Sequence, residues 1–123
     1  MEGTVNIRSL TTELKYCGEV EAKRQTYYVF EGKRYFFVMS FSRSKKNAGN
    51  FNVVEAAAVR YVVSKFAGRQ SVTSTSVATA SRKPQYISKP LEALNILYIL
   101  VAAGRARIDT RFRSRQLYFN IKQ

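Results

Sequence analysis

The 123-residue chain contains no histidine and a single cysteine, Cys17. The first absence removes histidine-based catalytic triads, histidine-ligated zinc and histidine acid–base chemistry. The second removes an internal disulfide and a four-cysteine zinc cluster, so Cys17 reads as a small apolar side chain of the core in a reducing, intracellular setting. No apolar run approaches the roughly 18 residues of a membrane span; the longest, Ile96 to Ala103, holds eight. The N-terminus, Met-Glu-Gly-Thr-Val-Asn-Ile-Arg, lacks the basic-then-apolar layout of a secretion signal, so neither membrane insertion nor export is expected. Acidic residues are also scarce. There are 8 Asp plus Glu, Asp109 being the only aspartate, against 21 Lys plus Arg, a formal charge of +13.

That charge exceeds what solubility requires. With 46% apolar and 13% aromatic residues the chain buries a core, so its cations decorate a folded surface rather than a disordered basic tail. One domain, or two small ones sharing a core, is expected. A polyanion is the partner such a surface calls for. Sixteen aromatics and the lack of a long basic amphipathic helix point to nucleic acid, with the nucleoid, nucleus or cytoplasm as its setting, rather than to a membrane.

The sequence changes character near residue 52. Residues 1–52 hold 9 basic and 5 acidic side chains (+4), whereas residues 53–123 hold 12 and 3 (+9). The fold class expected is α+β: an N-terminal antiparallel β segment over 1–52, followed by a helical domain with a terminal hairpin over 53–123. In the first part, Thr26–Phe30 and Arg34–Phe41 are dense in β-branched and aromatic residues, and Glu31-Gly32-Lys33 connects them as a hairpin. The second strand is apolar on both faces, with Tyr35, Phe37, Met39 and Phe41 on one and Phe36 and Val38 on the other. Such a strand lies between two layers, either central in a sheet or in a dimer interface. Weaker strands are expected over Val5–Leu10 and Leu14–Val20, and a basic loop over Ser42–Asn50.

The second part opens with an expected helix capped by Asn52, with Glu55 as reciprocal partner and Gly68 as its left-handed end. Val54, Ala57, Ala58, Tyr61, Val62 and Phe66 follow its apolar period, leaving Glu55, Arg60 and Lys65 to solvent. A second helix fits Thr73–Ser81, capped by Thr73 and stapled by Val72 on Val77. A third begins near Ser88, accepts Pro90 in its first turn and stops before Gly104. Its polar groups, Lys89, Glu92 and Asn95, lie in the first two turns, so one end faces outward and the other is buried. The period then becomes two: Arg105–Ile108 alternates, a turn follows over Asp109–Ser114, and Leu117, Phe119 and Ile121 share a face.

Helix, short helix, longer helix and hairpin, in that order, make Val53–Ile121 resemble a winged helix-turn-helix domain, over about 70 of the 123 residues. The resemblance implies a third helix in the major groove and the hairpin, or wing, over an adjacent groove or the phosphates. By position Ser88, Lys89, Glu92 and Asn95 become groove-facing. A helix N-terminus favours phosphate and Asn pairs with adenine, so Ser88 and Lys89 would hold the backbone while Asn95 reads a base. Arg82, Lys83 and Tyr86 precede them in the connecting loop. In the wing, Arg105, Arg107, Arg111, Arg113 and Arg115 fall within eleven residues, all odd-numbered. Period two sets them on one face if the hairpin stays extended through its tip, and a turn would scatter the middle ones. Arg43, Lys45 and Lys46 offer an accessory footprint.

The expectation is thus a non-catalytic duplex-DNA-binding protein, without cofactor or metal, acting as a transcription regulator or recognition module, with a homodimer through the N-terminal β segment. RNA or ribosome association is the main alternative, and a winged helix devoted to protein contacts is a third. A metal-dependent nuclease using Glu21 and Lys23 of Glu19-Val20-Glu21-Ala22-Lys23 lacks the neighbouring aspartate its metal needs, unless Glu13 substitutes.

Overall fold

In the computed structural model, the described residues are 14–22, 25–41, 49–112 and 116–123. The chain is α+β. Four strands, β1 (Lys15–Glu21), β2 (Thr26–Glu31), β3 (Tyr35–Phe41) and β4 (Gly49–Glu55), form an antiparallel sheet in the order β1-β2-β3-β4. Three helices follow, α1 (Ala56–Phe66), α2 (Ser74–Ser81) and α3 (Pro90–Ala102), and then a two-stranded sheet of β5 (Ala106–Ile108) and β6 (Phe119–Ile121). Among the described residues no helix is long and apolar enough to cross a membrane. The strand expected over Val5–Leu10 lies outside the described residues, as do Arg43, Lys45 and Lys46 of the basic loop.

The β2–β3 hairpin forms where the aromatic runs place it, closed by the Gly32 amide donating to the Tyr35 carbonyl at 2.8 Å. β3 is central, between β2 and β4. Its Val38 and Ser40 are buried toward the helices, opposite Val29 and Tyr27 on β2 and Asn52 and Asn50 on β4. The alternate positions Tyr35, Phe37, Met39 and Phe41 point to the other side.

β4 corrects the sequence reading. Gly49 and Asn50, expected in a loop, and Asn52, expected to cap a helix, all pair with β3. Helix α1 begins only at Ala56, with Glu55 at its N-cap and no side-chain cap. The Ala56 amide donates instead to the Arg34 carbonyl at 2.8 Å. The capping pattern was present in the sequence, but seven ladder pairs along a strand as apolar as β3 outweigh one cap, and Val54 becomes a sheet residue opposite Phe36.

The other helix boundaries follow their local chemistry. Thr73 Oγ1 accepts from the Ser76 amide at 3.0 Å while Ser76 Oγ accepts from the Thr73 amide at 2.8 Å, a reciprocal box with serine in the usual Glu position. Pro90 opens α3, and Gly104 closes it with φ +78°. There the Arg105 amide reaches the Leu100 carbonyl and the Gly104 amide the Val101 carbonyl.

α3 is the axis of the molecule. From Ala93 to Leu100 only Leu94 is more than marginally exposed. All four strands of the sheet pack on it, as do α1, α2 and β5. Tyr27 stacks on Tyr98 with ring centroids 4.3 Å apart, and β1 comes so close that a Cβ on Gly18 would sit 3.1 Å from the Ala102 carbonyl oxygen. One buried cluster therefore runs from Val20, Val29 and Val38 through Ile96 and Leu97 to Phe119 and Ile121. The half-buried Cys17 packs against its edge, its thiol pKa raised by burial.

Candidate nucleic-acid interface

The terminal hairpin is short and locked. β5 and β6 pair Ala106 with Ile121, Arg107 with Asn120 and Ile108 with Phe119. The Lys122 amide donates to the Arg105 carbonyl at 3.0 Å, carrying the register one step further and setting Arg105 across from Lys122. Buried Ala106, Phe119 and Ile121 fasten the inner face, so Arg105, Arg107 and Lys122 are left outside and exposed. On its far side β6 meets the segment before α2. Val72 and Phe119 exchange amide–carbonyl hydrogen bonds at 2.9 and 2.8 Å, and the Ile121 amide donates to the Arg69 carbonyl.

The alternation stops at Ile108, where the chain turns over Thr110 and Arg111, so the wing arginines do not form one continuous stripe. Arg113 and Arg115 lie outside the described residues. Arg111 is partly committed: its Nε and Nη2 donate to the two carboxylate oxygens of Asp109 at 2.9 and 2.6 Å. The Arg111 amide and Asn120 Nδ2 donate to the same carboxylate. Four donors hold Asp109 ionised far below the usual carboxylate range, the Arg111 guanidinium first among them. The guanidinium remains 71% exposed over a carboxylate that is 3% exposed.

The first turn of α3 differs from expectation. Ser88 donates both its amide, at 2.6 Å, and its hydroxyl, at 2.9 Å, to Glu92 Oε1. The carboxylate thus occupies the place a phosphate would take, and the Ser88 amide bond lowers its pKa. Pro90 has no amide to offer, and those of Glu92 and Ala93 turn back to the Lys89 carbonyl. In the free chain both Ser88 donors are thus engaged by Glu92, whereas Lys89 stays exposed.

Asn95 is a second correction. It is 6% exposed and makes no hydrogen bond to a described residue, so it cannot present an amide to a base in the major groove. Its side chain lines a cleft of about 300 Å³ between α3, the β4–α1 junction and the Gln85–Tyr86 turn. The cause is the sheet: packed along α3, it leaves only the first turn free, and the residues exposed there include Pro90 and Leu91, which carry no base-reading group. As folded here, α3 offers only the start of the expected 88–103 helix to a groove, with Asn95 behind it.

The loop residues form a cluster of their own. Arg82 ends α2 in a left-handed conformation, φ +56°, and is exposed. Lys83 and Lys65 place their ammonium groups 5.8 and 5.7 Å from the centre of the Tyr61 ring. Half-buried Tyr86 leans on the same ring at 5.5 Å. Tyr61 Oη and Lys65 Nζ both donate to the Ser81 carbonyl at the C-terminus of α2. Lys65, Arg69 and Lys122 join this basic surface unforeseen, since each is an isolated cation in the sequence and only the pairing of 69–72 with β6 gathers two of them. Among the described residues the Asp109–Arg111 contact is the only ion pair. Of the nuclease pattern, Glu21 is exposed on the edge strand, and Lys23 and Glu13 lie outside the described residues. No three carboxylate or thiol groups converge among those described.

Comparison with known proteins gives no match, whether to a family model, a curated protein or a solved structure.

Proposed function

We propose that the chain is a non-catalytic binder of duplex DNA that grips the phosphate backbone, its helices and terminal hairpin acting as a winged helix with β5–β6 as the wing. The observation that carries this reading is the outer face of that hairpin, where Arg105, Arg107 and Lys122 share one small surface and, among the described residues, none of them is in an ion pair. Cations held in register repel unless an anion lies over them, and Arg suits phosphate oxygens in pairs. The element order, together with the short pairing of Val72 with β6, supports the winged-helix comparison. Exposed Lys89, Arg82 and Lys83 extend the footprint. With Asn95 withdrawn, the proposed contacts are cations suited to phosphate oxygens, so the recognition proposed is of the backbone rather than of a sequence.

Titration of random-sequence duplex DNA and of structured RNA at several salt concentrations tests this. The expected result is a steep loss of affinity with salt, little difference between DNA sequences and a preference for DNA over RNA. Joint replacement of Arg105, Arg107 and Lys122 by Ala should lower the salt slope by up to about three. An unchanged slope overturns the wing assignment, and tighter binding of RNA overturns DNA as the partner.

A further inference from the structure

We propose that the outward face of the four-stranded sheet is a homodimer interface, on which a second copy of this chain packs its own sheet face about a two-fold axis. This does not rest on the nucleic-acid reading.

The inner face of the sheet is consumed by α3. The outer face is as apolar but has no partner: Tyr16, Phe30, Phe37, Met39, Phe41 and Phe51 occupy alternate positions on adjacent strands. Their rings pair laterally, Tyr16 with Phe30 at 5.3 Å and Phe37 with Phe51 at 5.5 Å between centroids. Such pairs organise the surface without covering it, for Phe41 and Phe51 remain 59% and 58% exposed. Strands of six or seven residues in a four-stranded sheet make a face about 23 Å by about 19 Å, roughly 440 Å² before the relief of the rings is counted. That is within the roughly 300–600 Å² of the largest patch on a typical monomer, which is often functional, and two such patches face to face approach the roughly 1,000 Å² of a specific interface.

Charge selects the occupant. In a chain of net charge +13, no outward position of the described strands carries Lys or Arg, and the charged groups there are Glu19, Glu21 and Glu55 on the two edge strands. Bases stacked on the rings would set their phosphates against Glu19, Glu21 and Glu55, since the described cations bordering the face, Lys15, Lys33 and Arg34, lie only at the end of β1 and in the β2–β3 turn. Two copies meeting through the outer face of the terminal hairpin would bring Arg105, Arg107 and Lys122 against their own counterparts. Through the sheet they meet on an apolar, nearly flat patch, with their basic surfaces turned apart. A two-fold interface needs only this one patch on both sides.

The mass of the full chain in solution tests the proposal, measured by sedimentation over a concentration range reaching tens of micromolar. The expected species has twice the 14.1 kDa of one chain. Phe51→Glu and, separately, Met39→Glu should raise the dissociation constant at least about a hundredfold, since each dimer then buries two unpaired carboxylates where apolar groups met. Both side chains point away from the core, so the thermal melt of the monomer should remain cooperative. A Lys65→Ala variant should stay dimeric. A wild-type chain that is monomeric throughout, or a dimer that survives both glutamate variants, overturns the proposal. If the variants become monomeric yet keep the wild-type salt slope per chain on DNA, the dimer stands independently of the wing.

Discussion

Arg105 and Lys122 face each other across the end of the β5–β6 ladder, and among the described residues neither has a carboxylate in ion-pair contact. Like charges so opposed weaken a strand pair by roughly 0.2–1 kcal/mol. Lys122→Glu should therefore raise the melting temperature while weakening DNA binding. Parallel melts and DNA titrations at low salt check this, and a change of both quantities in the same direction counts against a surface kept basic for its partner.

Asp109 links stability to pH. Its carboxyl is held well below the ordinary range by Arg111 and Asn120, so the folded form binds its proton more weakly than the unfolded chain does. The contribution is complete above the unfolded pKa of about 3.9 and disappears as pH falls further. Melts of wild type and Asp109→Asn should differ most at neutral pH, the difference shrinking steadily as pH falls below about 4. A constant difference across that range would show that Asp109 acts through packing alone.

Asn95→Ala should leave the affinity, salt slope and sequence preference of DNA binding unchanged, because the side chain is only 6% exposed, at the base of the cleft beside β4 and α1. Asn95→Leu replaces an amide that reaches solvent only through the cleft and should change stability by no more than about 1 kcal/mol. A loss of sequence preference in either variant would require α3 to be exposed in the complex.

Glu92→Ala frees both Ser88 donors and removes a carboxylate beside Lys89. The expected cost is about 1 kcal/mol, typical of a lost N-terminal cap, accompanied by tighter DNA binding as the local charge becomes more positive. Chemical denaturation and DNA titration of the same variant separate the two effects.

Much of the fold was legible in the sequence because its signals are local. The Gly32 turn, the Thr73 cap, Pro90 and Gly104 act within a few residues, and the structure places each where such chemistry puts it. β4 was hidden because Asn52 and Glu55 spell a helix start that only pairing with β3 overrules. The hairpin cations were visible as a run of arginines, but their neighbours Arg69 and Lys122 join them only through the pairing of 69–72 and Lys122 around β6. Asn95 was misassigned for a related reason. Its place near an exposed helix end is a property of the sequence, whereas its burial depends on a sheet encoded more than forty residues earlier.

The placement of α3 also governs how the molecule comes apart. A helix that serves at once as floor for the sheet and as support for the hairpin gives neither half a core of its own. Heating should dissolve the aromatic sheet and the basic hairpin in one transition, and a protease that cut between α1 and α2 would release two fragments that hold their shape only while bound to each other.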